Sequence, residues 1–163
     1  MYDGWNSVME TIDDGNEIKE KAYVWGLDIS QSIQGAGGIG GLITLTDSSS
    51  AYFYCYDGNG NVGQLTNGSD GTIVAIYEYD PFGFTIRAEG IRAELNSYHF
   101  STKYYDNETG LIYYGYRYYS PEIGRWINRD PIGEKGGLNL YNFTNNDGIN
   151  FVDTDGRFTS GGQ

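Results

Sequence analysis

The dipeptide Tyr-Asp, followed each time by turn-forming residues, recurs along this chain and constrains its fold more than any other feature. Copies begin at Tyr2, Tyr56, Tyr79 and Tyr105, with spacings of 23 and 26 residues between the last three, and a degenerate copy begins at Tyr119. The pattern predicts a strand that ends in Tyr, whose ring packs on the previous hairpin, and an Asp that caps the turn through its own backbone. A unit of about 20–25 residues is too small to bury its own face, so the units must stack. The repeat-defining residues are Tyr56, Asp57, Tyr79, Asp80, Tyr105, Asp106 and Gly110.

The composition supports an all-β fold. The 163 residues include 16 Tyr and 25 Gly but only 3 Pro. Aromatic and β-branched side chains favour strands, because they fit a pleated and half-buried surface. Glycine, together with Asn and Asp, supplies the positive-φ positions of tight turns. The predicted fold is therefore all-β: stacked antiparallel β-hairpins that form a twisted YD-repeat sheet, with an irregular, turn-rich C-terminal segment.

The alternation of apolar and polar residues places the strands and divides the chain. We predict one structural unit with YD-type β-repeats in residues 1–99, a core segment in residues 100–157 and a flexible tail in residues 158–163. The predicted strand Leu111–Tyr119 has two largely aromatic faces, so we expect it to be covered on both sides. The predicted strands are Glu17–Leu27, Leu42–Thr46, Ala51–Tyr56, Thr72–Tyr79, Tyr98–Tyr105 and Leu111–Tyr119.

Charge and cysteine content exclude several classes of protein. The net charge is −12, and only ten basic residues are scattered along the chain. Nucleic acid needs clustered Lys and Arg, and an anionic membrane surface would repel this chain, so neither is a predicted partner. No run of 18 apolar residues predicts membrane insertion, and residues 1–13 lack the features of a signal peptide. Cys55 is the single cysteine, which excludes an internal disulfide and a cysteine-based zinc site.

Three weaker signals lead to no cofactor or metal prediction. Residues 35–40 match the dinucleotide fingerprint Gly-x-Gly-x-x-Gly, but a strand follows them where that motif needs a helix. The turn that begins at Asp57 resembles the opening of a calcium loop, yet Val62 and Gly68 stand where Gly and Glu are required. His99 is the single histidine and has no paired nucleophile. We predict that it lies in solvent or caps a neighbour.

Long runs in the C-terminal half follow one recognisable pattern. The runs are Phe100–Pro121, Gly124–Trp126, Arg129–Gly133, Gly136–Tyr141 and Asn150–Asp153, and the turns Tyr56–Val62 and Tyr79–Gly83 extend the pattern upstream. This pattern resembles the Rhs/YD-repeat family, and residues 100–157 resemble its Rhs repeat-associated core segment. The resemblance covers most of the chain.

The resemblance implies a long β-sheet that winds spirally into a hollow shell. In members of the family the shell encloses a C-terminal toxin, and the core segment closes one end. An aspartyl-protease-like self-cleavage releases the cargo just after the second of two Asp-Pro-x-Gly motifs. Polymorphic toxins and the C components of insecticidal toxin complexes are examples, and related surface proteins use the repeats for adhesion. The implied location is extracellular or at the bacterial cell surface.

The resemblance also implies a candidate catalytic group. It consists of Arg129, Asp130 and Asp153, with the scissile bond after Arg157. Two close carboxylates that share a proton can activate water, because like charges push their pKa values apart. The second motif departs from the family pattern, since Thr154 replaces the usual Pro and Arg157 replaces the usual Leu. The alternative is that both aspartates are turn residues that cap their own backbones.

Three functions follow from these observations. The leading hypothesis is a structural extracellular β-repeat module. It would be part of a larger shell or surface protein, or would assemble with itself into a filament or tube through edge-strand pairing. The first alternative is the self-cleaving core of a polymorphic toxin or toxin-complex component. The second alternative is an adhesion module that binds surface glycans through exposed tyrosines.

Overall fold

The strands of this chain are short and follow one another closely. The structure, a computed structural model, describes residues 1–13, 15–157 and 159–161, and in these ranges the only helices are three single 3-10 turns. The strands are β1 (Tyr2–Asp3), β2 (Asn6–Ser7), β3 (Met9–Asp13), β4 (Ile18–Trp25), β5 (Leu42–Thr46), β6 (Ala51–Tyr56), β7 (Val62–Asn67), β8 (Ile73–Tyr79), β9 (Thr85–Glu89), β10 (Tyr104–Asp106), β11 (Leu111–Tyr113), β12 (Tyr118–Ser120), β13 (Arg125–Trp126), β14 (Phe151–Asp153) and β15 (Thr159–Gly161). The predicted all-β fold is confirmed.

Seven consecutive strands form the main sheet. Each strand from β3 to β9 pairs antiparallel with the next one in the chain, so the sheet is a meander of hairpins. A second meander of four strands follows, from β10 to β13. The pairs β1–β2 and β14–β15 form two further small sheets. Neighbours in sequence are therefore neighbours in space, as stacked hairpins require.

One face of the seven-stranded sheet is covered by the chain that follows β9. Tyr98 packs edge-on against Tyr23 and Trp25, with ring centroids 5.2 and 5.5 Å apart. The Tyr77 hydroxyl donates to the carbonyl of Ala93 at 2.8 Å, which satisfies a polar group that burial would otherwise penalise. A second aromatic core lies below the four-stranded sheet and consists of Phe100, Ile112, Tyr114, Tyr119, Trp126 and Phe143.

Three of the tyrosines in the repeat pattern bond to a backbone carbonyl in an earlier part of the chain. The Tyr56 hydroxyl donates to the Leu42 carbonyl, and the Tyr79 hydroxyl donates to the Val62 carbonyl at 2.9 Å. In the degenerate copy, the Tyr119 hydroxyl donates to the Phe82 carbonyl at 2.6 Å. These hydroxyl-to-carbonyl bonds form a ladder: the Tyr56 and Tyr79 rungs each reach the start of the neighbouring strand, and the Tyr119 rung ties the four-stranded sheet to the turn after β8.

The aspartate that follows each tyrosine folds its side chain back onto the turn. The Asp57 carboxylate accepts the amides of Asn59 and Asn61, both at 2.9 Å. The Asp80 carboxylate accepts the amides of the second and fourth residues after it at 2.8 and 2.9 Å, and Asp106 accepts the Glu108 amide at 2.9 Å. Such bonds occupy amides that have no partner in a strand.

The prediction of a continuous strand at Tyr98–Tyr105 is wrong. Only a bridge between Tyr98 and Tyr104 and the strand β10 form there, and a 3-10 turn lies between them. Ser101 and Thr102 take φ values of +53° and +51°. The amide of Ser101 donates to the Asn61 side chain at 2.8 Å, so tertiary hydrogen bonds replace the strand ladder.

The predicted exposure of His99 is also wrong. The side chain is 5% exposed, and its ring lies 4.7 Å from the Tyr77 ring and 4.9 Å from the Tyr105 ring. Its Nε2 does pair with a neighbour, the Asn96 carbonyl, at 3.0 Å. Burial lowers the pKa of His99 to about 4, so the ring is neutral at physiological pH. The prediction failed because it assumed a continuous strand, whereas the chain turns at this point.

The predicted strand Leu111–Tyr119 is two strands. A tight turn over residues 114–117 separates β11 from β12, and the Tyr114 amide donates to the Arg117 carbonyl at 3.1 Å. Gly115 permits this turn because its φ is +108°, a value that other residues rarely adopt. The expectation that both faces are covered therefore fails for Tyr116 and Tyr118, which are 46% and 43% exposed, whereas Tyr114 is buried.

The predicted tail falls partly outside the described residues, namely at Phe158, Gly162 and Gln163. Between them, Thr159–Gly161 pair antiparallel with Phe151–Asp153. The division of the chain at residue 99 stays a prediction.

Candidate functional site

Two buried carboxylates and one buried arginine form the candidate site. Arg117, in the turn between β11 and β12, places Nη2 2.9 Å from Oδ2 of Asp130 and 3.9 Å from Oδ2 of Asp153. The three side chains are between 2% and 6% exposed. The guanidinium also lies 4.2 Å above the Trp126 ring, which fixes its plane. A single cation thus holds together two aspartates that are 23 residues apart in sequence.

Backbone amides orient the Asp153 carboxylate. Its Oδ1 accepts the Gly156 amide at 2.6 Å and the Asp155 amide at 3.1 Å. Burial raises the pKa of Asp153 to about 6, and these two amides and Arg117 limit the rise because they favour the ionised form. Asp153 can therefore gain and lose a proton in the mildly acidic range where an acid–base group works.

The first motif forms a turn that presents Asp130 to the same place. Oδ1 of Asp130 accepts the Ile132 amide at 2.9 Å, and the backbone amide of Asp130 donates to the Leu140 carbonyl at 3.0 Å. Leu140 O also accepts from Nη1 of Arg117 at 3.1 Å. The turn and the arginine are therefore tied to one carbonyl, which leaves Oδ2 of Asp130 facing Arg117.

The segment after Asp153 is held by its carbonyls. The Asp155 carbonyl accepts the Tyr116 amide at 3.1 Å, and the Gly156 carbonyl accepts Nε of Arg117. The Arg157 carbonyl passes close to Gly136, where a Cβ would lie 3.2 Å from that oxygen and 2.5 Å from Oδ2 of Asp130. The carbonyl group of the predicted scissile bond, that of Arg157, therefore lies beside the aspartate pair.

A small cavity of about 60 Å³ lies beside these groups, lined by Arg117, Asp130, Gly136, Asp153 and Arg157 among others. A cavity of this volume has room for a water molecule, which needs two to four polar partners. The two carboxylates, the guanidinium and the Arg157 carbonyl provide them. The arrangement can therefore hold a water next to a peptide carbonyl and next to a group that can take its proton.

The structure brings together only two of the three catalytic residues that the sequence predicted. Asp130 and Asp153 meet, but Arg129 is exposed on the surface, and the buried arginine is Arg117. Sequence reasoning missed Arg117 because a single strand over residues 111–119 would make it one of many alternating side chains. The available signal was a lone arginine within a run of tyrosines, since a buried arginine requires carboxylate partners.

The two motifs considered for phosphate and calcium have internal partners. Asp28 occupies the centre of the glycine-rich loop, where its Oδ2 accepts the amides of Ala36 at 2.7 Å and Gly38 at 3.2 Å. These are the amides that a phosphate would need. Asp57 is similarly bound to its own turn. Within the described ranges, no cluster of His, Cys, Asp and Glu suits a metal ion, and no helix is long and apolar enough to cross a membrane.

Comparisons with known proteins point to one family. The family model described as Teneurin YD-shell matches residues 37–149. The toxin subunit YenC2 of Yersinia entomophaga is 39% identical over 53% of this chain and 9% of its own length. The tRNA3(Ser)-specific nuclease WapA of Bacillus spizizenii is 32% identical over 97% of this chain and 6% of its own length.

Solved structures show the same fold. The crystal structure of TcdB2-TccC3 without its hypervariable C-terminal region matches with a TM-score of 0.74 and 28% identity, over 92% of this chain and 7% of that chain. The Tc holotoxin pore of Photorhabdus luminescens matches with a TM-score of 0.75 and 27% identity, over 94% of this chain and 7% of that chain. This chain therefore spans less than a tenth of the length of each of these four proteins.

Proposed function

This chain belongs to the Rhs/YD-repeat family of YD-shell proteins, and from that membership we propose that it is a structural module that closes one end of a YD-repeat shell. The chain is related to toxin-complex subunits, and its fold matches theirs. The observation that carries the proposal is the ladder in which the hydroxyls of Tyr56, Tyr79 and Tyr119 bond to carbonyls of earlier strands and turns. In the main sheet the ladder links a repeat strand to its neighbour, and the Tyr119 rung ties the four-stranded sheet to the main sheet. The proposed location is outside the cell or at a bacterial surface.

The C-terminal core supports an end-closing role. Residues after β9 fold back over the sheet, with Tyr54 donating to the Asn96 side chain at 2.6 Å and Tyr98 packed between Tyr23 and Trp25. A chain that continued as further repeats would leave this sheet face free. The return of the chain over the face therefore favours a terminal position in the shell.

The edges of the main sheet provide the proposed contacts to further repeats. Among the described residues, β3 and β9 each pair with a strand on one side only. An edge strand presents unpaired amides and carbonyls that can pair with another strand. The other strand belongs either to a longer shell or to a second copy of the chain, and repeated copies would give a filament or tube.

Edge pairing can be tested on the 163-residue chain by sedimentation and negative-stain electron microscopy. We expect concentration-dependent association into regular filaments or tubes, and we expect Ile86→Lys on β9 to reduce it, because a lysine on an edge strand opposes pairing. Ile86 is 66% exposed, so the change itself should leave the fold intact. Ile91→Lys, at an 82% exposed turn position, is the matched control. A compact monomer at all concentrations would contradict edge pairing.

Self-cleavage is the second candidate function, and the aspartate pair beside the Arg157 carbonyl favours it. In this reaction one ionised aspartate removes a proton from water, and the water oxygen bonds to the carbonyl carbon of Arg157. The other aspartate, in its protonated form, donates to the amide nitrogen of Phe158 as the peptide bond breaks. Arg117 would keep one carboxylate ionised while the other is protonated.

Intact mass measured over days at several pH values tests self-cleavage. We expect loss of the last six residues, abolished by Asp130→Asn and by Asp153→Asn. Glu122→Gln, at an exposed carboxyl group near the site in sequence, should cleave at the wild-type rate. An unchanged full-length mass under all conditions would refute this second function and leave the aspartates as a structural pair.

Glycan adhesion stays a proposal that concerns only the exposed tyrosines. Tyr2, Tyr104, Tyr116, Tyr118 and Tyr141 are between 38% and 69% exposed, whereas the tyrosines of the two cores are buried. Stacking on sugars would need the exposed rings. Binding to a labelled glycan array that is lost when these five tyrosines are changed to alanine would support glycan adhesion, and no binding to any glycan would refute it.

A further inference from the structure

Lys103 is a buried lysine that none of the functions above uses directly. Its Nζ donates to the Gly37 carbonyl and to the Thr154 carbonyl, both at 2.7 Å, and lies 5.5 Å from the centre of the Tyr114 ring. The residue is 7% exposed. Its ammonium group thus connects the glycine-rich loop to the carbonyl of Thr154, the residue that directly follows Asp153.

The glycine-rich loop is a rigid anchor for this contact. The Asp28 carboxylate gathers the amides of Ala36 and Gly38 from the inside. The Gly40 amide donates to Oγ1 of Thr102 at 2.8 Å, and that hydroxyl donates to the Gly60 carbonyl at 2.7 Å. The loop is therefore fixed from both sides before Lys103 is considered.

The close approach of the loop to the second motif explains the glycine at position 37. Its φ is +62°, and a Cβ there would collide with the Thr154 carbonyl. It would also lie 2.9 Å from Nζ of Lys103. Only glycine lets the two carbonyls come close enough to share one ammonium group.

Lys103 also interacts through its charge with Asp153, the residue next to Thr154. Burial lowers the pKa of Lys103 to about 8, while the charges of Asp153, Asp155 and Asp28 oppose this shift. The hydrogen-bond acceptors in the described part of the chain are carbonyls, so no carboxylate neutralises the ammonium by direct contact. The charge of Asp153 thus favours the protonated form of Lys103, and by the same interaction the charge of Lys103 favours the ionised form of Asp153.

Together these contacts hold three successive carbonyls. The Thr154 carbonyl accepts from Lys103, the Asp155 carbonyl accepts from the Tyr116 amide, and the Gly156 carbonyl accepts from Arg117. The next carbonyl is that of Arg157, beside Gly136. Loss of the Lys103 contact would release Thr154, the residue of this segment that is nearest to Asp153.

We propose that Lys103 is a positioning residue of the aspartate site: it clamps the Thr154 carbonyl to the glycine-rich loop and so holds the segment that carries Asp153 and its amide donors. The role in catalysis rests on the proposed self-cleavage. The positioning itself does not, because it concerns the geometry and protonation of groups in the uncleaved chain.

The first experiment measures positioning without activity. The pKa of the Asp153 carboxyl group is measured by NMR, together with hydrogen exchange of the Gly156 amide that donates to it. In Lys103→Met we expect that pKa to rise by about one unit, because a nearby cation is lost. We also expect exchange to accelerate about five- to tenfold, the effect of losing one ordinary hydrogen bond. In Lys103→Arg, which keeps a cation with several donors, both values should return toward wild type.

Controls and a second neutral variant keep this test decisive. Lys21→Met is the matched control, since Nζ of Lys21 also donates to a backbone carbonyl, that of Leu95 at 3.0 Å, and its ion-pair partner is Glu10, which is not part of the site. If Lys103→Met does not fold, Lys103→Gln removes the charge while it keeps two N–H donors, and the Asp153 pKa should still rise. An unchanged Asp153 pKa and unchanged exchange in a folded neutral variant would overturn the proposal.

The second experiment separates this proposal from self-cleavage. The cleavage rate is measured by intact mass between pH 5 and pH 8. With Lys103→Met the pH at which the rate is half-maximal should move upward together with the measured pKa of Asp153, and Lys103→Arg should restore it. A wild-type chain that never loses mass would refute self-cleavage alone, because the titration and exchange results decide on Lys103 independently. A cleavage profile that does not change in Lys103→Met would overturn its role at the site.

Discussion

Asparagine in place of Asp153 is expected to stabilise the fold at neutral pH, because the native carboxylate is buried in its ionised form. Burial raises the pKa of Asp153 to about 6 from the ordinary 3.8, against the opposing effect of two amides and Arg117. Since one pKa unit corresponds to about 1.4 kcal/mol, this difference makes ionisation about 3 kcal/mol less favourable in the folded chain than in the unfolded chain. The asparagine side chain has nearly the same shape, and its oxygen can still accept the Gly156 and Asp155 amides.

The sign of the pH dependence follows from the direction of the shift. Because the folded-state pKa lies above the unfolded one, the folded chain binds more protons between pH 3.8 and about 6. Stability therefore falls as the pH rises through this window, and the full penalty is present above it. Relative to wild type, Asp153→Asn should gain about 3 kcal/mol at pH 7.5 but only about 1 kcal/mol at pH 4.5.

Urea unfolding followed by tryptophan fluorescence at the two pH values measures this gain. Glu122→Gln, at an exposed carboxyl group, should change the free energy of unfolding by less than about 0.5 kcal/mol at either pH. The reasoning would be refuted if Asp153→Asn were less stable than wild type at pH 7.5, or if its gain were the same at both pH values. The first result would mean that the fold stabilises the ionised carboxylate, and the second that the fold does not raise the pKa of Asp153.

Two further substitutions probe stability and one probes chemistry. Arg117→Met leaves two buried carboxylates without their cation and should destabilise the chain by about 3–5 kcal/mol at pH 7.5, with a smaller loss at pH 4.5, as urea unfolding will show. Tyr79→Phe removes one rung of the ladder and should cost about 1 kcal/mol in the same assay. Gly136→Ala puts a methyl group between Asp130 and the carbonyl of the predicted cut, and it should slow self-cleavage about 100-fold by intact mass while the chain stays folded; an unchanged rate would contradict the geometry of the site.

The regular part of the fold was predictable because local rules and tertiary structure agree there. Asp57 and Asp80 are typical turn residues, and their carboxylates accept amides of the turns that follow them. The strands before both are rich in the aromatic and β-branched residues that favour strands. The strands β7 and β9 were not predicted, since their short runs contain glycine or charge. These strands form because paired neighbours supply the hydrogen bonds that local propensity does not favour.

The candidate site was predictable only in part, because its geometry depends on residues distant in sequence. The two aspartates were found through their motifs, whereas Arg117 lies in a turn that Gly115 creates and that alternation cannot reveal. Similarly, Lys103 follows a 3-10 turn that the side chain of Asn61 holds from another hairpin. Such residues are placed by tertiary hydrogen bonds, and a single sequence does not show which distant partner will supply them.

The tyrosine ladder has a consequence for how such sheets vary in length. In the main sheet each rung joins a hydroxyl only to the neighbouring strand, as Tyr56 does with Leu42 and Tyr79 with Val62, so a repeat there must match only its immediate neighbour. Energies in such an array are sums of local terms and nearest-neighbour terms. A gene can therefore gain or lose a repeat in the middle of the array and still encode matching surfaces on both sides of the change. Length, and with it the volume that a complete shell encloses, can evolve without redesign of the closing end.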